Sequence, residues 1–379
     1  MRILQIITTS DVGGAQEYLH LFGKNIKKEN HFILTSPDGD FENKFNNISK
    51  KVFLVRSLVR KINLIKDFKS FLKIRNIISK NEFDIIESHT AKASFLTALA
   101  LKTIKNKPIF IYNAHGFDAS HIEMNRFADN FFKKLKKYIC NVADTVIVVS
   151  NNTAQNLIKE NICEKEKISV IPGGVNKNRF KNLSVPVELK NKRKILIGAS
   201  GRLVERKGFE YLVKAAKIIK EKSDKSIEFI LIGEGPLEQK IKELIKVYGL
   251  KDIFRVISFK DNFPDYLNMF DIFVIPSLNE GFPLITLEAL YLGIPVVSTP
   301  VSGMKEAFNH GEQGLFVEKE NEKVIADAIL KLLENNDLRI CMSEKAHELA
   351  INKYSDKRVY EDHLKLFEKL LEESKLNKK

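Results

Sequence analysis

The sequence predicts an α/β protein made of two doubly wound parallel-sheet domains. Short apolar runs of strand length alternate with helix-length amphipathic segments along the chain, the pattern of a parallel sheet wrapped by helices. The alternation breaks at a polar stretch near the middle and then restarts. The length of 379 residues suits two domains at about 100–200 residues each.

In the first half the strand-like runs are Arg2–Thr8, His31–Thr35, Asp84–Ser88, Ile109–Asn113, Thr145–Ser150 and Ile168–Ile171. Pro172–Val187, which opens with Pro172-Gly173-Gly174-Val175 and turns polar, reads as a hinge. Lys194–Ser200 restarts the pattern, followed by Glu228–Ile232, Phe254–Ile257, Ile272–Ile275 and Val296–Ser298, with helices over Phe209–Glu221, Pro236–Val247, Phe263–Asn268 and Leu284–Leu292. Ser355–Leu376 reads as an amphipathic helix with Val359, His363, Leu366, Phe367, Leu370 and Leu371 on one side. The expected domains are therefore 1–188 and 189–354, with 355–379 packing back on the first. No short-period repeat points to a solenoid. In open α/β sheets ligands sit beyond the carboxyl ends of the strands, so functional residues should follow strands.

Composition narrows the class. Apolar residues make up 44% of the chain, enough for buried cores. The N-terminal Met1–Gly14 stretch leads into a glycine loop and lacks the small-residue site of a signal peptide. No run reaches the roughly 18 apolar residues of a membrane span. Cys140, Cys163 and Cys341 are too far apart to suggest a disulfide or metal spacing, which points to a reducing cytoplasm. Net charge is +14. Through Lys190 there are 31 Lys and Arg against 18 Asp and Glu, and the remainder is nearly balanced. A Lys-rich composition alone would not produce that asymmetry. An anionic partner for the first half, a membrane surface, a lipid diphosphate or nucleic acid, accounts for it, with the membrane or lipid favoured.

Three loops carry candidate chemistry. After the first strand, Gly13-Gly14 opens a helix whose amide ends can meet an anion; the bland reading is a plain strand-to-helix turn, and the spacing is not that of a nicotinamide site. After Ser200, Arg202 and Lys207 precede a helix and could hold a diphosphate, although two loop cations are more often merely solvated. Glu280-Gly281-Phe282-Pro283-Leu284-Ile285-Thr286-Leu287-Glu288 is the most informative stretch. Pro283 suits the start of a helix, and Glu288 then lies among apolar neighbours and needs a partner such as a sugar hydroxyl.

The Glu280…Glu288 pair, with seven residues between, resembles the signature of the retaining GT-B glycosyltransferases of family four. The resemblance runs through the Gly13-Gly14 loop, Asn113-Ala114-His115-Gly116-Phe117, Val148-Val149-Ser150, the Pro172–Phe180 linker, Gly201-Arg202-Leu203…Lys207-Gly208 and Gly233-Glu234-Gly235-Pro236. Glu87-Ser88-His89-Thr90-Ala91-Lys92-Ala93 is similar to members that assemble capsule, O-antigen or other lipid-linked glycans. The resemblance implies two Rossmann-like domains facing across a cleft. It implies transfer of a hexose or N-acetylhexosamine from a nucleotide-sugar donor, a UDP-sugar first, to a lipid-diphosphate-linked glycan. By the same resemblance Glu288 holds the ribose and Glu280 the donor sugar, while Arg202 and Lys207 bind the diphosphate and stabilise the leaving nucleotide. His115 lies near the donor sugar and Gly14 near the β-phosphate and acceptor. Gly13, Gly233, Glu234, Ser258, Gly281, Phe282, Pro283 and Leu284 complete the donor site. Ser258 and Ser302 stand where members usually carry glycine.

No metal or cofactor is expected: the Asp38-Gly39-Asp40 triplet sits in a Ser-Pro-Asp-Gly turn signal, and basic side chains take the place of a cation. Arg60–Lys80 and Phe131–Ile139 are basic and amphipathic, as helices on anionic membranes are, or as half-buried helices with Lys-rich outer faces are. The implied location is the inner face of the cytoplasmic membrane. A nucleotide-sugar 2-epimerase of the same architecture and a non-catalytic glycan-binding protein are the alternatives. A nucleic-acid partner is disfavoured, since Trp is absent and no RNA-binding aromatic pattern occurs.

Overall fold

The computed structural model describes all residues except 12, 38, 116–125, 187–188, 190–193, 260–261, 302 and 377–379, and except the side chains of 126–128. The chain forms two compact units, Met1–Gly174 with Asp356–Lys379, and Val175–Ser355.

The first unit holds strands β1 (Ile3–Ile6), β2 (His31–Thr35), β3 (Lys51–Leu54), β4 (Ile85–Ser88), β5 (Ile109–Ala114), β6 (Thr145–Val148) and β7 (Ile168–Val170). They form one parallel sheet in the order β3-β2-β1-β4-β5-β6-β7. Helices α1 (Gly14–Gly23), α2 (Glu42–Ile48), α3 (Leu64–Lys80), α4 (Ala91–Leu101), α5 (Arg126–Val142) and α6 (Asn151–Lys159) connect them. Both sheet faces are covered, which is why the strands read as continuous apolar runs. Leu4, Ile6, Ile86, Phe110 and Val146 enter one core layer, and their strand neighbours Ile3, Ile85, Ile111 and Ile147 enter the other.

The second unit repeats the plan with β8 (Ile195–Ser200), β9 (Ile227–Ile232), β10 (Phe254–Ile257), β11 (Ile272–Ile275), β12 (Val296–Ser298) and β13 (Gly314–Phe316), in the parallel order β10-β9-β8-β11-β12-β13. Its helices are α7 (Phe209–Lys222), α8 (Glu238–Val247), α9 (Phe263–Leu267), α10 (Leu284–Tyr291), α11 (Met304–Ala307), α12 (Glu322–Glu334) and α13 (Asn336–Lys353). The order reverses at β8 and β11, the switch point where doubly wound sheets bind ligands. The last helix, α14 (Asp356–Leu376), belongs to the first unit. It buries Val359, His363 and Phe367 and packs on α1.

Two strands escape sequence reading. β3 and β13 are edge strands, one half-exposed and Lys-led, the other three residues long, so neither presents a distinct apolar run. The units also divide after Gly174 and not after residue 188. The polar stretch following Val175 docks on the second unit: Ser184 donates from backbone and hydroxyl to Asp265 at 2.9 and 2.8 Å, and the rings of Phe180 and Tyr291 lie 5.5 Å apart. Val175 N donates to Tyr354 O at 2.7 Å, so the two points where the chain enters and leaves this unit are paired.

Candidate functional site

In the second unit the singled-out residues gather beyond the carboxyl ends of β8, β9 and β11. The loop after β8 and the loop after β9 lie backbone to backbone: Gly201 N donates to Ile232 O at 3.0 Å and Leu203 N to Glu234 O at 2.8 Å. A Cβ on Gly233 would come within 1.9 Å of Gly201 O, so glycine there is a packing requirement. Gly208, with φ +65°, caps α7 in the left-handed region. It also packs flat on the loop after β11, where a Cβ would meet Pro276 O at 2.1 Å. Leu278 N donates to Arg206 O at 2.8 Å across the same seam.

That seam brings Lys207 to Glu280. The ammonium pairs with Oε1, Arg206 lies 3.7 Å from Oε2, and the Ser277 hydroxyl donates to Oε1 at 3.3 Å. Glu280 is 8% exposed, so these donors replace the water it has lost. Glu288 is the fifth residue of α10, equally buried, and pairs with Arg179. Pro283 sits at the N-cap position with φ −70°, one residue before the helix and not within its first turn. Gly281 O accepts from Gly303 N at 2.9 Å, Phe282 packs 6.2 Å from the Tyr354 ring, and Leu284 opens α10. Each carboxylate is thus held by a cation.

Arg202 and Ser258 are placed differently. Arg202 is exposed just after β8 and touches neither carboxylate; the cation beside Lys207 is Arg206. Ser258 is exposed after edge strand β10, and Glu234 is exposed after β9. Arg206 and Arg179 were not singled out from sequence. Arg206 hid in a run with Lys207, and Arg179 stood in a stretch read as linker. Ser302, Asp38, Gly116 and Phe117 lie outside the described residues.

In the first unit Gly13 is extended (φ 179°) and Gly14 is the exposed first residue of α1, with open space where a Cβ would stand. Neither glycine is demanded by backbone strain, and among the described residues no side chain caps the start of α1. His115 follows β5; its Nε2 lies 2.9 Å from His89 Nδ1 and its ring meets the edge of Tyr18 at 4.8 Å. Burial and the adjacent His89 hold its pKa well below the ordinary histidine value. A largely apolar cavity of about 660 Å³ adjoins Gly14, lined by Ile62, Leu64, Phe95, Phe131 and Leu135 among others.

The basic stretches also resolve. On α3, Ile74 and Ile78 face the core, so Ile78 is not part of the outer face. Leu64, Ile65, Phe68 and Leu72 are exposed among exposed Lys66, Lys69 and Lys73. On α5, Lys133 is neutralised by Asp129 at 3.2 Å and Glu160 at 3.0 Å. By unit, 34 Lys and Arg face 23 Asp and Glu in the first, and 28 face 25 in the second, so most of the excess stays with the first.

Comparison with known proteins agrees with this architecture. Residues 12–179 match the Glycosyltransferase Family 4 model and residues 180–349 the Glycosyl transferases group 1 model. The chain is 27% identical to the Escherichia coli UDP-Gal:alpha-D-GlcNAc-diphosphoundecaprenol alpha-1,3-galactosyltransferase, over 81% of each chain. It is also 27% identical to the Staphylococcus aureus capsular polysaccharide biosynthesis glycosyltransferase CapM, over 92% of each. Anabaena HepE in complex with UDP-glucose superimposes with a TM-score of 0.82 at 19% identity, covering 97% of this chain and all of that one. With both halves matched in order, and with paired parallel-sheet units of GT-B type, the chain belongs to the group 1, family 4 glycosyltransferases.

Proposed function

We propose that this glycosyltransferase of polysaccharide biosynthesis moves a hexose or N-acetylhexosamine from a UDP-sugar, with retention, to a lipid-diphosphate-linked glycan at an anionic membrane surface. The observation that carries the donor half is the paired carboxylates. Glu288 on Arg179 and Glu280 on Lys207 lie beyond the strand ends of one sheet. Ionised carboxylates accept hydroxyls of a ribose and a hexose, and Lys207, Arg206 and the exposed Arg202 supply positive charge for a diphosphate. Interactions that strengthen as charge builds on the leaving nucleotide lower the barrier. Those cations do the work a divalent metal does elsewhere, so turnover survives EDTA in this reading. The Escherichia coli relative, a UDP-Gal:alpha-D-GlcNAc-diphosphoundecaprenol galactosyltransferase, supports the donor and acceptor classes, and the UDP-glucose complex of HepE supports the donor.

The acceptor half rests on the first unit. Leu64, Ile65, Phe68 and Leu72 stand exposed beside lysines, the composition of an interfacial helix. The apolar cavity next to Gly14 suits the hydrocarbon end of a lipid diphosphate. Each cation near an anionic surface contributes about 1 kcal/mol. The full-length protein is incubated with labelled UDP-hexoses and undecaprenyl-diphosphate GlcNAc in phosphatidylglycerol vesicles, with and without EDTA, and the product's anomeric configuration is read by NMR. Inverted product, or dependence on Mg²⁺, overturns the mechanism. Co-sedimentation then compares wild type with Lys66→Gln/Lys69→Gln/Lys73→Gln/Phe68→Ser. Equal binding of both, or none by wild type at low salt, makes a soluble acceptor the better reading.

A further inference from the structure

Glu87 lies in β4, flanked by β1 and β5, and its side chain is fully buried. Nothing in the donor chemistry calls for a carboxylate there. The surroundings treat it as an ion. Gln5 Nε2 donates to Oε2 at 2.8 Å and Asn113 Nδ2 donates to Oε1 at 2.9 Å. His89 Nε2 lies 3.5 Å from Oε2, and His363 Nε2, on α14, lies 3.6 Å from Oε1. Burial alone would raise its pKa, yet His89 and His363 outweigh burial and hold it well below the usual carboxylate range.

The route from this carboxylate to the surface of the unit runs through His89. Its ring stacks on His115 at 5.2 Å and 18°, and its Nδ1 shares one hydrogen with His115 Nε2 across 2.9 Å. His115 is partly exposed and its Nε2 is committed, so only Nδ1 can meet a ligand. Tyr18, whose hydroxyl donates to Ile171 O at 3.1 Å, packs edge-on against the His115 ring and fixes its plane. A neutral imidazole carries one N–H. If His89 directs its hydrogen at Glu87, its Nδ1 accepts from His115 Nε2–H, and His115 Nδ1 is left as a lone pair. If instead His89 Nε2 accepts, the polarity reverses along the line. A carboxylate can only accept, which favours the first arrangement. Gln5 Nε2, which has two hydrogens, lies 2.8 Å from Glu87 Oε2 and 3.3 Å from His89 Nε2, and its second hydrogen is the one the reversed arrangement would use. The remaining groups facing the line are His363 from α14, Asn113 from β5, Tyr18 from α1, and His31, whose Nε2 contacts Gln5 Oε1 at 2.7 Å.

We propose that Glu87 and His89 are positioning residues which set His115 Nδ1 as a hydrogen-bond acceptor for a sugar hydroxyl at the surface of the first unit. The inference rests on the glycosyl-transfer reading for its purpose, while the polarity of the line rests on its geometry with His89 neutral; a cationic His89 would donate from both nitrogens and leave the hydrogen on His115 Nδ1. Glu87→Gln is isosteric. With Asn113 donating to its amide oxygen, and with Gln5 turned to present its own oxygen to the new amide, the amide nitrogen faces His89 Nε2 and donates to it. That reverses the shared hydrogen and turns His115 Nδ1 into a donor.

The test uses full-length protein labelled with ¹⁵N in its imidazoles. Long-range ¹H–¹⁵N correlation identifies which nitrogen of His115 is protonated, with His115→Gln providing the assignment, and kcat and donor KM are measured on the same samples. The expected result is hydrogen on Nε2 in the wild type and on Nδ1 in Glu87→Gln, with kcat down about 10–100-fold and donor KM changed less than about threefold. The wild-type tautomer is read without any substitution, so a poorly folding variant does not shield the proposal. Hydrogen on Nδ1 in the wild type, or an unchanged tautomer in Glu87→Gln, overturns it whatever the activity. A tautomer that flips as expected in a protein that turns over no nucleotide sugar supports the line and overturns the glycosyl-transfer reading.

Discussion

Gly208→Ala tests whether the seam between the loop after β8 and the loop after β11 sets the active geometry. Two costs can be worked from the structure. The backbone sits at φ +65°, where a non-glycine residue costs about 1–2 kcal/mol. The new Cβ would stand 2.1 Å from Pro276 O, so the loops must part by about 1 Å to restore van der Waals contact. Overpacking of that kind adds about 1–3 kcal/mol. The displaced segment carries Lys207 on one side and Glu280 on the other, and a 1 Å misplacement near a reacting centre costs about 100-fold in rate. Gly249→Ala is the matched control. It has nearly the same backbone, φ +63°, in the same unit, but open space where the Cβ goes. It should lose about 1–2 kcal/mol and no activity. Stability is measured by urea unfolding and turnover by release of the nucleotide from the donor. If the two variants match in both stability and kcat, the close approach at Pro276 is not what holds the site, and the reasoning fails.

Lys207→Ala leaves the buried Glu280 with weaker partners and should cost about 1–3 kcal/mol of stability. Arg202→Ala, at an exposed position off both carboxylates, should leave unfolding unchanged; equal losses in urea melts would contradict the difference in their surroundings. Glu288→Gln should weaken nucleotide-sugar binding about tenfold or more in calorimetry, since the carboxylate proposed to accept ribose hydroxyls becomes neutral, and unchanged affinity would remove Glu288 from the donor site. Acid should destabilise the first unit. Burial pushes His31 down to about 4, and His115 is likewise lowered, so the unfolded chain takes up protons below about pH 6.5 that the native state refuses. Stability is then full above pH 6.5 and falls toward pH 4 by about 3 kcal/mol for His31 alone, with Glu87 adding loss below its unfolded pKa of about 4.3. A flat unfolding free energy between pH 7 and 4.5 would refute this.

The alternation of apolar runs and amphipathic segments determined the two parallel sheets, because strands covered on both faces must be apolar throughout and crossover helices must be amphipathic. Glu280 and Glu288 were legible for a related reason: carboxylates at fixed spacing around a helix start have few structural uses among apolar neighbours. Sequence could not say which cations serve them. Arg202 and Arg206 flank the same loop in the text of the chain, and only the left-handed turn at Gly208, closed against Pro276, turns Arg206 and Lys207 toward Glu280 and leaves Arg202 in solvent. Arg179 reached Glu288 because the stretch after Val175 docks on the second unit, a packing event with no local pattern. The Glu87–His89–His115 line likewise joins β4, β5, β1 and α14, residues as far apart as Gln5 and His363. A charge inside an apolar strand announces that partners must exist, since burial without them is prohibitive. Which partners they are depends on long-range pairing, and that is decided only when the sheet closes and the last helix packs against α1.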